Sequence, residues 1–202
     1  MTANHKIIEH LRKDDVLYQA IVALNTEIRS ELSIDIYHAL LSSIVSQQLS
    51  TKVAKIIWNR FTGLFVDGYP DAESLLAKEH QILRGIGLSN SKVNYVKNVA
   101  EFNLSNDISF DNLQKKSDEE IIEYLTQIKG VGRWTVQMIL MFPMDRPNVF
   151  PSNDLGIQNA MKKLYNIELE KKELIERMEA IALQWEPHKT MASKYLWKLK
   201  DS

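Results

Sequence analysis

Residues 125–140 read LTQIKGVGRWTVQMIL, in which one predicted helix ends, two glycines follow and a new helix begins. Two glycines separated by one apolar residue allow the tight backbone turn that can join two helices. The turn also leaves the first amides of the second helix without intrahelical partners, and with the helix dipole these amides can bind a phosphate group. Taken alone, the pattern favours a plain helical hairpin whose glycines serve packing only.

The same pattern occurs earlier in the chain. Residues 83–88 read LRGIGL and resemble residues 128–133, which read IKGVGR. This alignment pairs Gly85 with Gly130, and Gly87 with Gly132. Both stretches are predicted to contain a helix end, a Gly-apolar-Gly turn and the start of a new helix.

Composition excludes several classes of function. The 202 residues contain no cysteine, which rules out disulfides, thiolate zinc sites, iron–sulfur clusters and a cysteine nucleophile. The five histidines show no metal-type spacing, and a formal charge of −1 does not describe a protein that coats phosphates with basic residues. No apolar run approaches the roughly 20 residues that span a bilayer, and the first residues lack a signal-peptide core. We therefore expect a cytoplasmic or otherwise intracellular protein with no membrane partner.

Helical periodicity dominates the rest of the chain and predicts an all-α fold. Ser50 is a good N-cap for a helix that starts at Thr51, and Asp71 is one for Ala72–Lys78. Ser117 has capping-box spacing to Glu120. Residues 1–36 are predicted to be helical as well. Further helices are predicted over Ser91–Phe102, Trp134–Phe142, Leu155–Tyr165, Lys171–Trp185 and His188–Lys200.

The stretch VFPSNDLGI at residues 149–157 follows the second hairpin and contains Asp154. A glycine hairpin followed by such an aspartate resembles the helix-hairpin-helix DNA glycosylases, and within them the 3-methyladenine DNA glycosylase II branch. The resemblance covers roughly residues 37–199. It implies one domain over 1–202 with two helical lobes, about 37–140 and about 1–36 plus 141–202, and a DNA cleft between them.

The resemblance implies an enzyme that flips a damaged nucleotide out of double-stranded DNA and hydrolyses its N-glycosidic bond, in base-excision repair. Asp154 would then be catalytic, because a carboxylate stabilises the positive charge that develops on the sugar and can orient or deprotonate the attacking water. Alkylated purines are already cationic and leave readily, so a single carboxylate is sufficient. Asp154 could also simply cap the next helix, and the two roles are compatible.

The residue type at position 134 distinguishes the branches of the glycosylase family that this sequence resembles. Bifunctional relatives have a lysine there, and an amine is required for the Schiff base through which they nick the strand. Tryptophan therefore implies a monofunctional hydrolase that leaves an abasic site. Trp134, Trp197 and Met138 are expected to line the base pocket, where an aromatic face would attract a cationic base; ordinary core packing is the alternative for each.

Contacts to the DNA backbone are expected at the hairpin, through the amides around Gly130, Gly132 and Arg133. Gln48 matches the residue that fills the gap left by the flipped nucleotide. In relatives, carbonyls matching Thr126, Ile128 and Val131 hold a monovalent cation, so a structural Na⁺ or K⁺ is expected there and no other cofactor. Lys52, Lys92 and Lys162 are further candidates for phosphate contacts, although such residues are usually only solvated.

The expected protein is a monomer. Two alternative functions remain open from the sequence: a DNA-binding module without catalysis, and a glycosylase that acts on deaminated or mispaired bases. A pure binding module has no need of a carboxylate beside the phosphodiester backbone, so Asp154 discriminates between binding and catalysis.

Overall fold

The computed structural model describes residues 3–28 and 34–200, and these form helices joined by short loops. Two 3-10 turns, Val66–Gly68 and Leu183–Trp185, complete the regular structure. No strand occurs within these two ranges, which confirms the predicted all-α fold. None of the helices in them is long and apolar enough to cross a bilayer. The helices are α1 (Ala3–Leu11), α2 (Asp15–Leu24), α3 (Ile36–Ser46), α4 (Thr51–Thr62), α5 (Ala72–Ala77), α6 (His80–Gly85), α7 (Asn90–Ser105), α8 (Phe110–Leu113), α9 (Asp118–Leu125), α10 (Arg133–Met141), α11 (Leu155–Tyr165), α12 (Lys171–Ala182) and α13 (Lys189–Lys200).

The capping residues predicted from the sequence start the helices as expected. The Ser50 side chain accepts a hydrogen bond from the Val53 amide, and that of Asp71 accepts one from the Ser74 amide. Ser117 forms a full capping box, because the Ser117 amide also donates to the Glu120 carboxylate at 2.7 Å. Such caps satisfy amides that have no acceptor within the helix.

The described residues within Met1–Glu31 and Leu140–Ser202 form one compact unit, here called the split unit. In it α11 packs on α13, and α2 packs on both. Asp14, which is 5% exposed, joins the start of α2 to the end of α11 and to the 3-10 turn Leu183–Trp185. Its carboxylate accepts hydrogen bonds from the Tyr165 hydroxyl at 2.7 Å and the Trp185 indole at 2.9 Å. Trp185 is a fully buried core residue.

The described residues within Leu32–Ile139 form the other unit, here called the central unit. Helix α3 packs on α4 and α7, and α5 packs on α7. Its core includes Leu40, Ile44, Phe61, Val93, Val96 and Leu125, all of which are fully buried.

The two glycine turns of the central unit correspond, but with a different alignment from the one that the sequence suggests. Gly87 and Gly130 have backbone φ angles of +108° and +106°, whereas Gly85 is the last residue of α6. Each positive-φ glycine stands three residues before the next helix, and a buried apolar residue, Leu88 or Val131, follows it. The pairing of Gly85 with Gly130 is therefore wrong, because Gly130 shares its left-handed backbone and its place before the next helix with Gly87, whereas Gly85 lies within a helix.

This correction predicts opposite effects of alanine at two neighbouring glycines. Gly87→Ala should lower the free energy of unfolding by about 1–3 kcal/mol, because an L side chain is strained at that φ. Gly85→Ala should leave the free energy unchanged or raise it by up to about 1 kcal/mol, because alanine favours the helix and nothing lies within 4 Å of its Cβ. Urea unfolding of the two variants measures both values. Equal losses, or a larger loss at Gly85, would contradict the corrected alignment.

Candidate active site

Asp154 stands immediately before α11 and caps it. Its Oδ1 atom accepts the Ile157 amide at 2.9 Å and the Trp197 indole N–H at 2.8 Å. The residue is half-buried. Two donors from two helices thus hold one carboxylate oxygen, and α11 presents its positive dipole end to this group. The structure shows that Asp154 serves as a cap, and a cap held in this way is also a carboxylate with a defined orientation.

Trp197 reaches Asp154 because α13 packs directly on α11. The Trp197 indole also stacks on the Phe142 ring, with 5.9 Å between the ring centroids and 24° between their planes. Phe142 is 44% exposed. An exposed aromatic ring stacked on the indole that contacts the carboxylate forms one wall of a surface on which a flat base could stack. Sequence reasoning missed Phe142, since it lies at the predicted end of a helix and no local pattern marks it.

A buried lysine supports this aromatic pair. Lys194, one turn before Trp197 on α13, is 7% exposed, and its ammonium lies 5.3 Å from the centroid of the Phe142 ring. The ammonium also pairs with the Asp145 carboxylate at 3.2 Å. Asp145 adopts a φ of +47°, a left-handed conformation that is uncommon outside glycine. The charged pair offsets the cost of burying the lysine and places a cation on the ring that stacks with Trp197.

Gly156 is a second site residue that the sequence did not reveal. A Cβ atom built on it would lie 3.0 Å from Asp154 Oδ1 and 3.1 Å from Trp197 Cδ1. Both distances are tighter than ordinary van der Waals contact. A larger residue at this position would therefore push the indole or the carboxylate away by a few tenths of an ångström.

Replacing this glycine should disturb the contact without unfolding the protein. In Gly156→Ala the indole must move by a few tenths of an ångström, which weakens its bond to Asp154, while alanine itself favours the helix. We expect the free energy of unfolding to change by less than about 1 kcal/mol. The NMR resonance of the Trp197 indole N–H should shift upfield as the bond lengthens. An unchanged indole resonance would contradict the proposed crowding, and Gly85→Ala provides the control.

The glycine hairpin between α9 and α10 is held by close packing on α7. A Cβ atom at Gly130 would lie 2.2 Å from the ring of Tyr95 on α7, so only glycine fits. Two side-chain amides then bind the turn: Asn98 donates to the Lys129 carbonyl at 2.9 Å and Gln47 to the Gly130 carbonyl at 3.3 Å. Gly132 follows as the last residue before α10. The amides of the first turn of α10 have no acceptor within the helix and can bind an anion.

The predicted hairpin residues differ in what they contact. The Arg133 guanidinium forms a two-pronged ion pair with the Glu119 carboxylate, and both side chains are exposed. The Ile128 carbonyl accepts the Val131 amide at 2.9 Å, which leaves a second lone pair on that oxygen. The carbonyls of Thr126 and Val131, the other expected cation ligands, belong to the same connection between α9 and α10.

The remaining predicted residues lie in the central unit. Trp134 and Met138 are one turn apart on the same face of α10, and Trp134 is 41% exposed, while Val136 and Ile139 on the opposite face are buried. Gln48 is exposed and has a φ of +56°. A left-handed conformation at a residue other than glycine is uncommon and often accompanies a functional site.

Residues 41–186 match the family described as HhH-GPD superfamily base excision DNA repair protein. This chain belongs to the HhH-GPD superfamily. It is 37% identical over 166 residues to DNA-3-methyladenine glycosylase 1 of Schizosaccharomyces pombe, and the match covers 80% of this chain and 71% of the relative. The resemblance to 3-methyladenine DNA glycosylases that the hairpin and Asp154 indicated is thereby confirmed.

Two solved HhH-GPD structures resemble the whole chain. The S. pombe 3-methyladenine DNA glycosylase in complex with abasic DNA is 34% identical in sequence and superposes with a TM-score of 0.85. The match covers 96% of this chain and 95% of that one. A DNA-3-methyladenine glycosidase from Bacillus halodurans is 33% identical, with a TM-score of 0.82 over 100% of this chain and 90% of the other.

Proposed function

We propose that this chain is a monofunctional DNA glycosylase that flips alkylated purines of the 3-methyladenine type out of double-stranded DNA and hydrolyses their N-glycosidic bond, in base-excision repair. The observation that carries the proposal is the Asp154 carboxylate, held between the Ile157 amide and the Trp197 indole. Membership of the HhH-GPD superfamily and the names of the relatives support it.

In the proposed reaction Asp154 stabilises a sugar that acquires positive charge as its bond to the base breaks. Such stabilisation is strongest when the carboxylate is already oriented, because no reorganisation is then needed at the moment of reaction. The same group can orient the attacking water and take its proton. A cationic alkylated purine leaves as a neutral base without a proton donor, so a second carboxylate is unnecessary.

The base pocket would be aromatic. In the split unit the stacked pair of Trp197 and Phe142 supplies an aromatic face, and in the central unit the exposed Trp134 lies with Met138 on one face of α10. A cationic purine gains from such faces through cation–π attraction, which a neutral normal base lacks. Trp134 stands where an amine would be needed for strand cleavage, so the product is an abasic site in an unbroken strand.

The hairpin would hold the strand beside the damaged nucleotide. The amides at Gly132, Arg133 and Trp134 in the first turn of α10 would bind a phosphate, and the exposed Arg133 could exchange Glu119 for that phosphate. A Na⁺ or K⁺ on the carbonyls of Thr126, Ile128 and Val131 would add positive charge near the same phosphate. Gln48 would fill the gap in the duplex and form hydrogen bonds with the orphaned base.

The substitution Asp154→Asn tests the proposed role of the carboxylate. Asparagine is an equally good N-cap, so α11 and the fold should be preserved while the negative charge is lost. Release of free base from a duplex containing 3-methyladenine should fall by at least about a hundredfold. Affinity for a duplex with a stable abasic analogue should change far less. The matched control, Asp71→Asn, replaces the N-cap of α5 in the same way and should leave base release unchanged.

A panel of duplexes completes the test with wild-type protein. Methylated, deaminated and mispaired bases are each incubated with the enzyme, and strands are analysed before and after alkali. The proposal predicts release of the methylated base and breaks only after alkali. Equal release by wild type and Asp154→Asn would remove the carboxylate from the mechanism. Release of deaminated or mispaired bases alone would overturn the proposed substrate, and breaks without alkali would overturn monofunctional hydrolysis.

A further inference from the structure

The carboxyl end of α3 is held by a lysine from another helix. Lys92, in the first turn of α7, donates from its ammonium to the carbonyls of Val45 at 2.8 Å and Gln47 at 2.7 Å. The last carbonyls of a helix have no partner within it, and a cation at this end also meets the negative end of the helix dipole. The ammonium is partly buried, which lowers the pKa of Lys92 from its usual value.

The carbonyls that Lys92 binds belong to the turn that carries Gln48. Gln47 directly follows α3 as its C-cap, and the Leu49 amide closes the turn by donating to the Ser46 carbonyl at 3.2 Å. Between them Gln48 is held at its positive φ with its side chain exposed. Positive-φ conformations of this kind persist only where the surroundings impose them.

The same turn is bound on its other side to the hairpin. The Gln47 side chain donates to the Gly130 carbonyl, so its backbone carbonyl and its side-chain amide are both engaged. The turn is therefore held at two points, by the Lys92 ammonium and by the glycine turn that precedes α10. Of these two contacts, only the one from Lys92 involves a charged group, and its ammonium donates two hydrogen bonds.

We infer that Lys92 is a positioning residue, which holds the turn of residues 46–50 so that Gln48 enters the duplex in a defined orientation. The inference rests on the proposed function, because it gives Gln48 a duplex to enter. It assigns Lys92 to the support of this turn rather than to a phosphate contact. Loss of the ammonium would let the Gln48 backbone leave its left-handed conformation, so the side chain would no longer enter the duplex in one orientation.

The chain contains a matched control on the same helix. Lys97, also on α7, donates to the carbonyls of Leu76 at 3.1 Å and Lys78 at 2.8 Å, at the end of α5. Lys92→Met and Lys97→Met thus each remove two bonds to the end of a neighbouring helix and keep an apolar side chain of similar length. The turn that follows α3 carries Gln48, whereas the end of α5 carries no proposed site residue.

The experiment measures single-turnover release of 3-methyladenine from duplex and from single-stranded DNA at saturating enzyme. A single strand has no opposite base, so a defect in Gln48 insertion should matter only in the duplex. We expect Lys92→Met to slow release from the duplex by about ten- to a hundredfold and from the single strand by less than twofold. Lys97→Met should change neither rate by more than about twofold. Combining Lys92→Met with Gln48→Ala should slow duplex release no further than Gln48→Ala alone.

Each contrary outcome has a distinct meaning. Equal slowing on duplex and single strand, or equal effects of the two lysine substitutions, would show that Lys92 only supports the fold and would overturn the inference. Unchanged duplex release in Lys92→Met would overturn it as well. Absence of base release by the wild-type protein from every duplex would instead overturn the proposed function, and the inference with it.

Discussion

The hydrogen bond from the Trp197 indole to Asp154 Oδ1 is the interaction on which the proposed chemistry depends. It joins the start of α11 to the last turn of α13, and Gly156 leaves room for the indole to come this close. The Phe142 ring and the buried Lys194–Asp145 pair hold the indole from its other side. A carboxylate fixed in this way needs little reorganisation when charge develops near it, which is the physical basis for efficient electrostatic catalysis.

In the central unit, side chains from α7 donate hydrogen bonds to backbone carbonyls at the ends of other helices and in the hairpin turn. Lys92 and Lys97 bind the ends of α3 and α5, and Asn98 binds the hairpin turn. Helix α7 therefore organises both the glycine hairpin and the turn that carries Gln48. In the proposed function, backbone amides rather than a net positive charge would attract the phosphate, which is compatible with a formal charge of −1.

The sequence predicted those features that depend on interactions between residues close together in the chain. The caps at Ser50, Asp71 and Ser117 and the bounds of α11 were predicted correctly, because each depends on residues within one helical turn. The pairing of Gly85 with Gly130 was wrong, because the one-letter pattern does not show which of two neighbouring glycines still lies within the preceding helix. Phe142, Lys194 and Gly156 could not be predicted at all. Each of them contacts a residue that is distant in the sequence: Phe142 stacks on Trp197, Lys194 pairs with Asp145, and Gly156 lies against Trp197.

The role of Asp154 is tested most directly by comparing two duplexes that differ by one positive charge. One contains a pyrrolidine nucleotide, whose protonated ring nitrogen mimics the cationic sugar, and the other a neutral tetrahydrofuran nucleotide. Binding by wild-type protein and by Asp154→Asn is measured by fluorescence anisotropy at fixed salt. A carboxylate that faces the sugar predicts that wild type prefers the pyrrolidine duplex by about a hundredfold and that Asp154→Asn loses this preference. An equal preference in both proteins would show that Asp154 does not stabilise the charged sugar.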